Sequence, residues 1–88
     1  MKMIIVIIKD SDADDLTQAL TTAEFRVTRI ASTGGFLRRG VVTLLIGVKD
    51  DRVEAGIQVV REHLPESGSQ GESRATIFVV PVKRFEQV

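Results

Sequence analysis

Two long apolar runs constrain the fold of this chain more than any other feature of its sequence. They cover Met3–Ile8 and Val41–Val48, and most of their residues are β-branched. Apolar runs of six to eight residues with this composition, bounded by turn residues, predict buried strands. A strand with one wet face alternates apolar and polar residues, and neither run does so consistently. The sequence therefore predicts a sheet that is apolar on both of its faces.

Two further strands and two helices are predicted around these runs. The strands are Phe25–Ala31 and Ala75–Val82, and Pro81 should lie at a sheet edge or near the strand end because it cannot donate a backbone hydrogen bond. Apolar residues at three- and four-residue steps give each helix one buried face. The predicted buried positions are Leu16, Ala19, Leu20 and Ala23 in the first helix, and Val53, Ile57, Val60 and Leu64 in the second.

The N-terminal end of each helix is predicted from its acidic residues. Ser11 or Asp12 is a suitable N-cap for the first helix, and Asp14 and Asp15 would follow in its first turn. Asp50 is expected to start the second helix. Asp10, Asp12 and Asp14 have the spacing that opens an EF-hand loop, but Asp15 replaces the required glycine. Helix capping is the better interpretation of these aspartates.

The element order β-α-β-β-α-β predicts an α+β fold, namely a ferredoxin-like split β-α-β sandwich with both helices on one sheet face. We expect one domain over residues 1–88, with residues 64–74, rich in Ser and Gly, as a mobile surface loop. The two helices leave the second apolar face uncovered, and nothing else in the chain can cover it. Because large exposed apolar patches are unusual on monomers, we expect a homo-oligomer whose sheets face one another.

Composition narrows the possible functions. Lys plus Arg and Asp plus Glu both number 12, so binding driven by net positive charge to nucleic acids or membranes is disfavoured. The chain has no cysteine and only one histidine, His63, which argues against a transition-metal site and a familiar nucleophilic triad. We expect a cytoplasmic protein that is not an enzyme, and interpret the N-terminal apolar run as a strand rather than a targeting signal.

The glycine-rich segment Thr33–Gly40 is the most informative candidate for a binding site. Paired glycines allow backbone N–H groups to approach an anion closely, and Arg38 and Arg39 could pair with phosphate. An ordinary connection with two solvated arginines is an equally good interpretation of these residues alone. RNA-recognition modules share the element order, but the run Val41–Val48 has none of the aromatic residues on which they stack bases.

Short phrases along the chain carry a family resemblance. They are Met1-Lys2-Met3-Ile4-Ile5, Phe25-Arg26, Thr33-Gly34-Gly35-Phe36-Leu37-Arg38 with Gly40, Gly47-Val48 with Asp50-Asp51-Arg52, and Ala75-Thr76 with Phe78-Val79 and Pro81-Val82. In this order they resemble the PII-like cyclic-di-AMP receptor proteins of the PstA or DarA type. The resemblance implies a homotrimer of ferredoxin-like subunits that binds cyclic-di-AMP, or a related adenine nucleotide, in the clefts between subunits.

The resemblance also implies a set of ligand-binding residues. Carried onto this sequence they are Arg26, Thr28, Gly35, Phe36, Leu37, Gly47, Phe78 and Gln87. Backbone N–H groups near Gly35 would meet phosphate, and the apolar members would enclose adenine. The expected function is signal transduction through an unknown downstream protein partner, without cofactor or metal.

The sequence departs from the family at two places. Val41 stands where the family usually has an Asn, and residues 64–74 are shorter than the corresponding loop. Both departures favour an alternative, a non-catalytic trimeric interaction scaffold of the same fold that has lost nucleotide binding. A trimer that binds divalent metal is a third possibility, against which the lack of cysteine and the single His63 count.

Overall fold

The computed structural model describes residues 1–31, 40–64, 75–84, 86 and 88, with only the backbone of Ala31. The order of elements in these residues is β-α-β-β-α-β. The strands are β1 (Lys2–Lys9), β2 (Arg26–Ala31), β3 (Val41–Val48) and β4 (Ala75–Pro81). The helices are α1 (Asp10–Thr22) and α2 (Val53–His63), and a short 3-10 turn over Asp50–Arg52 precedes α2.

The strands form one four-stranded antiparallel sheet in the order β2-β3-β1-β4. Each helix therefore connects two strands that are separated by a third strand, so two β-α-β units interleave. This small α+β architecture agrees with the predicted element order. Pro81 is the last residue of the edge strand β4, as its missing N–H requires. The predicted loop 64–74 lies outside the described residues, except for Leu64.

One face of the sheet forms the hydrophobic core with both helices. Burial alternates along β1 and β3 even though the sequence there is almost continuously apolar, because successive side chains point to opposite faces. The largest side chains of this core that are less than 2 % exposed, in order of volume, are Ile4, Leu16, Leu20, Leu44, Ile46, Val6 and Val60. The helices thus cover only the face that carries the even-numbered residues of β1.

The start of α1 differs from the prediction. The helix begins at Asp10 after Lys9, no side chain caps it, and its first-turn acidic residues are Asp10 and Asp12. Neither Ser11 nor Asp12 is the N-cap, because the backbone N–H of Asp10 donates instead to the carbonyl of Gly40 over 2.6 Å. A tertiary contact has replaced the local cap that the sequence indicates.

The end of α1 has the hydrogen bonds of a Schellman motif. The N–H of Phe25 donates to the carbonyl of Leu20, and the N–H of Glu24 donates to that of Thr21, each over 2.9 Å. Glu24 takes the left-handed position with φ 68°, which costs a residue with a Cβ more than it costs glycine. Phe25 is buried and directs the chain into β2.

We expect Glu24→Gly to raise the free energy of unfolding by about 0.5–1 kcal/mol, because glycine relieves the left-handed strain. Urea denaturation would measure the change. The matched control is Glu54→Gly in the exposed first turn of α2, which should lose up to about 1 kcal/mol. A Glu24→Gly variant no more stable than wild type would contradict this account of the turn.

Gly56 sets the distance between α2 and the sheet. A Cβ atom built on Gly56 would lie 2.9 Å from Cδ1 of Ile4 and 3.5 Å from Cε1 of Phe25. Ile4 is fully buried, so its side chain has little room to move. The close approach of α2 to the sheet at this point therefore requires glycine, which has no side chain.

Gly56→Leu should lower the free energy of unfolding by about 1–3 kcal/mol, since the new side chain overpacks the core. Ala55→Leu, one residue earlier and exposed, is the control and should change stability by less than about 0.5 kcal/mol. Thermal unfolding of both variants would test the packing; equal melting temperatures would disprove it.

Candidate functional site

The sheet face turned away from the helices, which we call the open face, carries the described residues of the predicted binding site. Residues opposite one another on antiparallel strands share a face, so the strand register defines rows across the sheet. The first row contains Arg26, Gly47, Met3 and Val80. The second row contains Thr28, Leu45, Ile5 and Phe78.

The open face brings three of the predicted residues together. Arg26 on β2 lies directly opposite Gly47 on β3, and Thr28 lies one row further along β2. Arg26 and Thr28 are exposed, and Gly47 leaves space beside them because it has no side chain. A cation, a hydroxyl group and a backbone open to close approach form a suitable surface for a phosphate or a polar nucleotide edge.

Phe78 lies apart from these three residues. It belongs to the second row, but it is on β4 at the opposite edge of the sheet from Thr28 on β2. Three strand spacings separate them, which is about 14 Å. The ring of Phe78 is 51 % exposed, the largest exposure among Ile30, Phe78 and Val79. Leu45 and Ile5, both half-buried, form an apolar floor between the two edges.

The other predicted site residues, Gly35, Phe36, Leu37 and Gln87, lie outside the described residues. Val41, one of the two places where the sequence departs from the pattern that the resemblance implies, begins β3 and pairs with Lys9. It is half-buried on the open face, one row beyond Thr43. Its side chain therefore belongs to the same surface as Arg26 and Thr28.

The amino terminus lies at the rim of the open face beside Gly47. Among the residues that the structure describes, a Cβ atom built on Gly47 would contact only Cε of Met1, at 4.0 Å. The amino group of Met1 pairs with Oδ1 of Asp50 over 3.0 Å. This hydrogen bond, followed by the charge of Lys2, lowers the pKa of the Asp50 carboxyl below its ordinary value. Asp50 thus holds the start of the chain against the end of β3.

Sequence reasoning missed a set of ion pairs on the opposite side of β2. Nη1 of Arg29 donates to Oδ1 of Asp14 over 2.6 Å, and Nη2 donates to Oδ1 of Asp10 over 2.7 Å. The hydrogen bond to Asp14 is the main reason that the pKa of Arg29 is raised. The sequence signal was present only as alternation along β2, which places Arg29 on the face opposite Arg26 and Thr28.

The helical side of the molecule carries none of the predicted site residues that the structure describes. A shallow groove between α1 and α2 is lined by Asp15, Gln18, Ala19, Thr22, Ala23, Val59, Glu62 and His63, none of which is a predicted site residue. His63 ends α2 and is exposed. Within the described ranges, no three His, Asp or Glu residues are grouped so that they could hold a metal ion. In the same ranges no helix is long and apolar enough to cross a membrane.

Comparison with known proteins shows the family to which the chain belongs. The sequence profile of the cyclic-di-AMP receptor family matches residues 1–70. The chain belongs to the cyclic-di-AMP receptor family. The matched range includes Arg26, Thr28 and Gly47, whereas Phe78 on β4 lies beyond it.

A solved structure supports the fold along the whole chain. The crystal structure of a functionally unknown protein from Pediococcus pentosaceus ATCC 25745 is similar, with a TM-score of 0.78 and 28% sequence identity. The similarity covers 99% of this chain and 96% of that one. The architecture therefore extends through β4, past the range that the family profile matches.

We expect Gly47→Val to fold as stably as wild type, within about 0.5 kcal/mol, because valine suits a strand and a Cβ atom at this position meets, among the described residues, only the tip of Met1. Circular dichroism and thermal unfolding would measure this. Loss of more than about 2 kcal/mol would show that Gly47 has a structural role, contrary to the open space described above.

Proposed function

We propose that the chain is a PII-like signal-transduction protein of ferredoxin-like fold, without catalytic activity, that binds cyclic-di-AMP between the subunits of a homotrimer. The observation that carries this proposal is that the four described site residues share the open face but lie toward its two opposite edges. Arg26 and Thr28 lie on the edge strand β2 with Gly47 next to them on β3, and Phe78 lies on the other edge strand, β4. Membership of the cyclic-di-AMP receptor family supplies the ligand. The cytoplasm is the compartment that a cysteine-free chain of this family suits.

The position of Phe78 is the argument for a site between copies. A ligand held by Arg26 and stacked on Phe78 of the same chain would have to extend about 14 Å over Leu45 and Ile5. If β4 of one copy lies beside β2 of the next copy, both groups face the same cleft. A contact between two different edges is heterologous, and repeating it around an axis closes a ring. The resemblance to PII-like proteins sets the number of copies at three.

The same arrangement covers the apolar surface that a monomer leaves open. Phe78 and Val79 are 51 % and 41 % exposed, and β4 has no charged residue between Ala75 and Pro81. A long uncharged edge strand is prone to associate unless something covers it. Around a three-fold axis, the half-buried residues of β1 and β3 would also face neighbouring copies. Association thus removes two exposed apolar features at once.

Each side chain has a chemical task in the proposed cleft. Arg26 pairs with a phosphate, Thr28 hydrogen-bonds a polar edge, and Phe78 stacks on an adenine ring. Gly47 keeps the surface low enough for the nucleotide to approach. Gly35, Phe36, Leu37 and Gln87 complete the proposed site from the segment before β3 and from the end of the chain.

Isothermal titration calorimetry with cyclic-di-AMP, using cyclic-di-GMP and ATP as controls, tests the proposal. We expect selective binding with a Kd of about 1 µM or tighter, which is about −8 kcal/mol, and a stoichiometry near one ligand per chain. Absence of heat with cyclic-di-AMP, from protein shown to be folded and trimeric, would refute nucleotide binding.

Phe78→Ala should weaken cyclic-di-AMP binding by roughly tenfold or more, because stacking contributes about 1–3 kcal/mol per base. Val79→Ala is the matched control, since Val79 is the next residue of β4, is also exposed, and points to the opposite face. Its affinity should equal that of wild type. Equal losses in the two variants would place the ligand elsewhere.

The alternative function is a trimeric interaction scaffold that has lost the nucleotide. Val41 favours it, because an apolar side chain occupies a position on the open face where the family usually has an amide. Losing one hydrogen bond costs about 1 kcal/mol, so Val41 alone would weaken binding but not abolish it. A trimer that gives no heat with any nucleotide and co-purifies with a protein partner would establish the scaffold.

A further inference from the structure

Strand β2 has no fully buried side chain among its described residues. Within the described part of the chain it is an edge strand, and β3 is its one partner. None of its residues from Arg26 to Ile30 is fully buried, and Val27 is the one that packs against the core as a half-buried side chain. Ile30 is 45 % exposed. The strand that carries Arg26 and Thr28 therefore depends on interactions other than core packing.

Arg29 supplies such an interaction by joining β2 to α1. It lies opposite Leu44, whose buried side chain is beneath the helices, so Arg29 points away from the open face. The guanidinium group uses two different nitrogens to reach Asp14 and Asp10, which are one turn apart on α1. A bridge of this form fixes both the distance and the orientation of the strand relative to the helix.

The same turn of α1 also holds the start of β3. The N–H of Asp10 donates to the carbonyl of Gly40 over 2.6 Å, and Gly40 directly precedes β3. Gly40 has φ 78°, a conformation that glycine accepts without strain. Asp10 thus contacts β2 through its side chain and the residue before β3 through its backbone. The two strands that carry Arg26, Thr28 and Gly47 are both fastened to one helical turn.

We propose that Arg29 is a positioning residue, which through Asp10 and Asp14 holds β2 against α1 so that Arg26 and Thr28 are oriented for the ligand. Its effect on affinity rests on the proposed function, whereas its effect on the strand does not. Exposed ion pairs contribute little to global stability, so the role is local. Lysine cannot replace Arg29, because an ammonium group lacks the planar arrangement of donors that reaches both carboxylates.

Hydrogen exchange of the ligand-free protein tests the hold on the strand. In Arg29→Met, the amides of β2 should exchange about three- to tenfold faster than in wild type, while those of β1 remain unchanged. Arg29→Lys should resemble Arg29→Met more than wild type. Arg61→Met, which removes an exposed arginine from α2, is the control with the same change in charge and should leave β2 unaffected. Unchanged exchange in β2, or faster exchange throughout the sheet, would overturn the proposal.

Calorimetry with cyclic-di-AMP tests the positioning. We expect Arg29→Met and Asp14→Asn to weaken binding about three- to tenfold with unchanged stoichiometry, and Arg61→Met to bind as wild type does. Asp14→Asn removes only one of the two ion pairs, so it carries the test if Arg29→Met does not fold. Faster exchange in β2 with unchanged affinity would refute the positioning role. If wild type binds no cyclic-di-AMP, the proposed function fails, and hydrogen exchange still decides whether Arg29 holds the strand.

Discussion

The packing of two helices onto one face of a four-stranded sheet determines the rest of this structure. Alternate residues of β1 enter the core, where Ile4 and Val6 are completely buried. The residues that alternate with them along β1, Met3, Ile5 and Ile7, are equally apolar but remain half-buried on the open face. Since a strand cannot turn all its side chains to one side, a continuously apolar strand in this fold always produces a second apolar surface. That surface carries every described residue of the proposed binding site.

Strand β2 combines two tasks on its two faces. Arg26 and Thr28 project onto the open face. Arg29, the residue after Thr28, projects toward α1. Successive side chains of a strand point to opposite faces but share one backbone. A shift of the backbone caused by a contact on one face therefore also moves the side chains on the other face. An edge strand with little core packing can be adjusted through its helix contact without disturbing β1. We therefore expect the proposed binding residues on this strand to be sensitive to changes on its helix-facing side.

Much of the fold could be predicted from sequence because its signals are local. The bounds of β3 were predicted as Val41–Val48 and agree with the structure, since glycine and charged residues flank a long apolar run. The start of α1 was predicted incorrectly, because the hydrogen bond from Asp10 to Gly40 joins residues far apart in the chain. The pairing of Arg29 with Asp10 and Asp14 was missed for the same reason. Local sequence patterns cannot predict contacts between residues that are far apart in the chain.

The site residues were chosen by family resemblance, and the fold adds their arrangement. The separation of Arg26 and Phe78 onto opposite edges follows from the interleaved strand order, and the resemblance, which supplied only a list of residues, did not state it. Because these residues are too far apart to contact one ligand easily within a single chain, their separation led to the proposal that the site forms between two copies. Predictions for Gly35, Phe36, Leu37 and Gln87 fall outside the described residues and remain predictions.

A subunit-mixing experiment tests the central claim most directly, namely that each site combines β2 and β3 of one copy with β4 of the next. Gly47→Val damages one half of the proposed site and Phe78→Ala the other, so each homotrimer should bind cyclic-di-AMP poorly. When the two variants are co-expressed in equal amounts, about one neighbouring pair in four joins two intact halves. We predict that titration of the mixture recovers wild-type affinity at about a quarter of the sites. If the mixture binds no better than the separate variants, the site lies within one chain and the account is wrong.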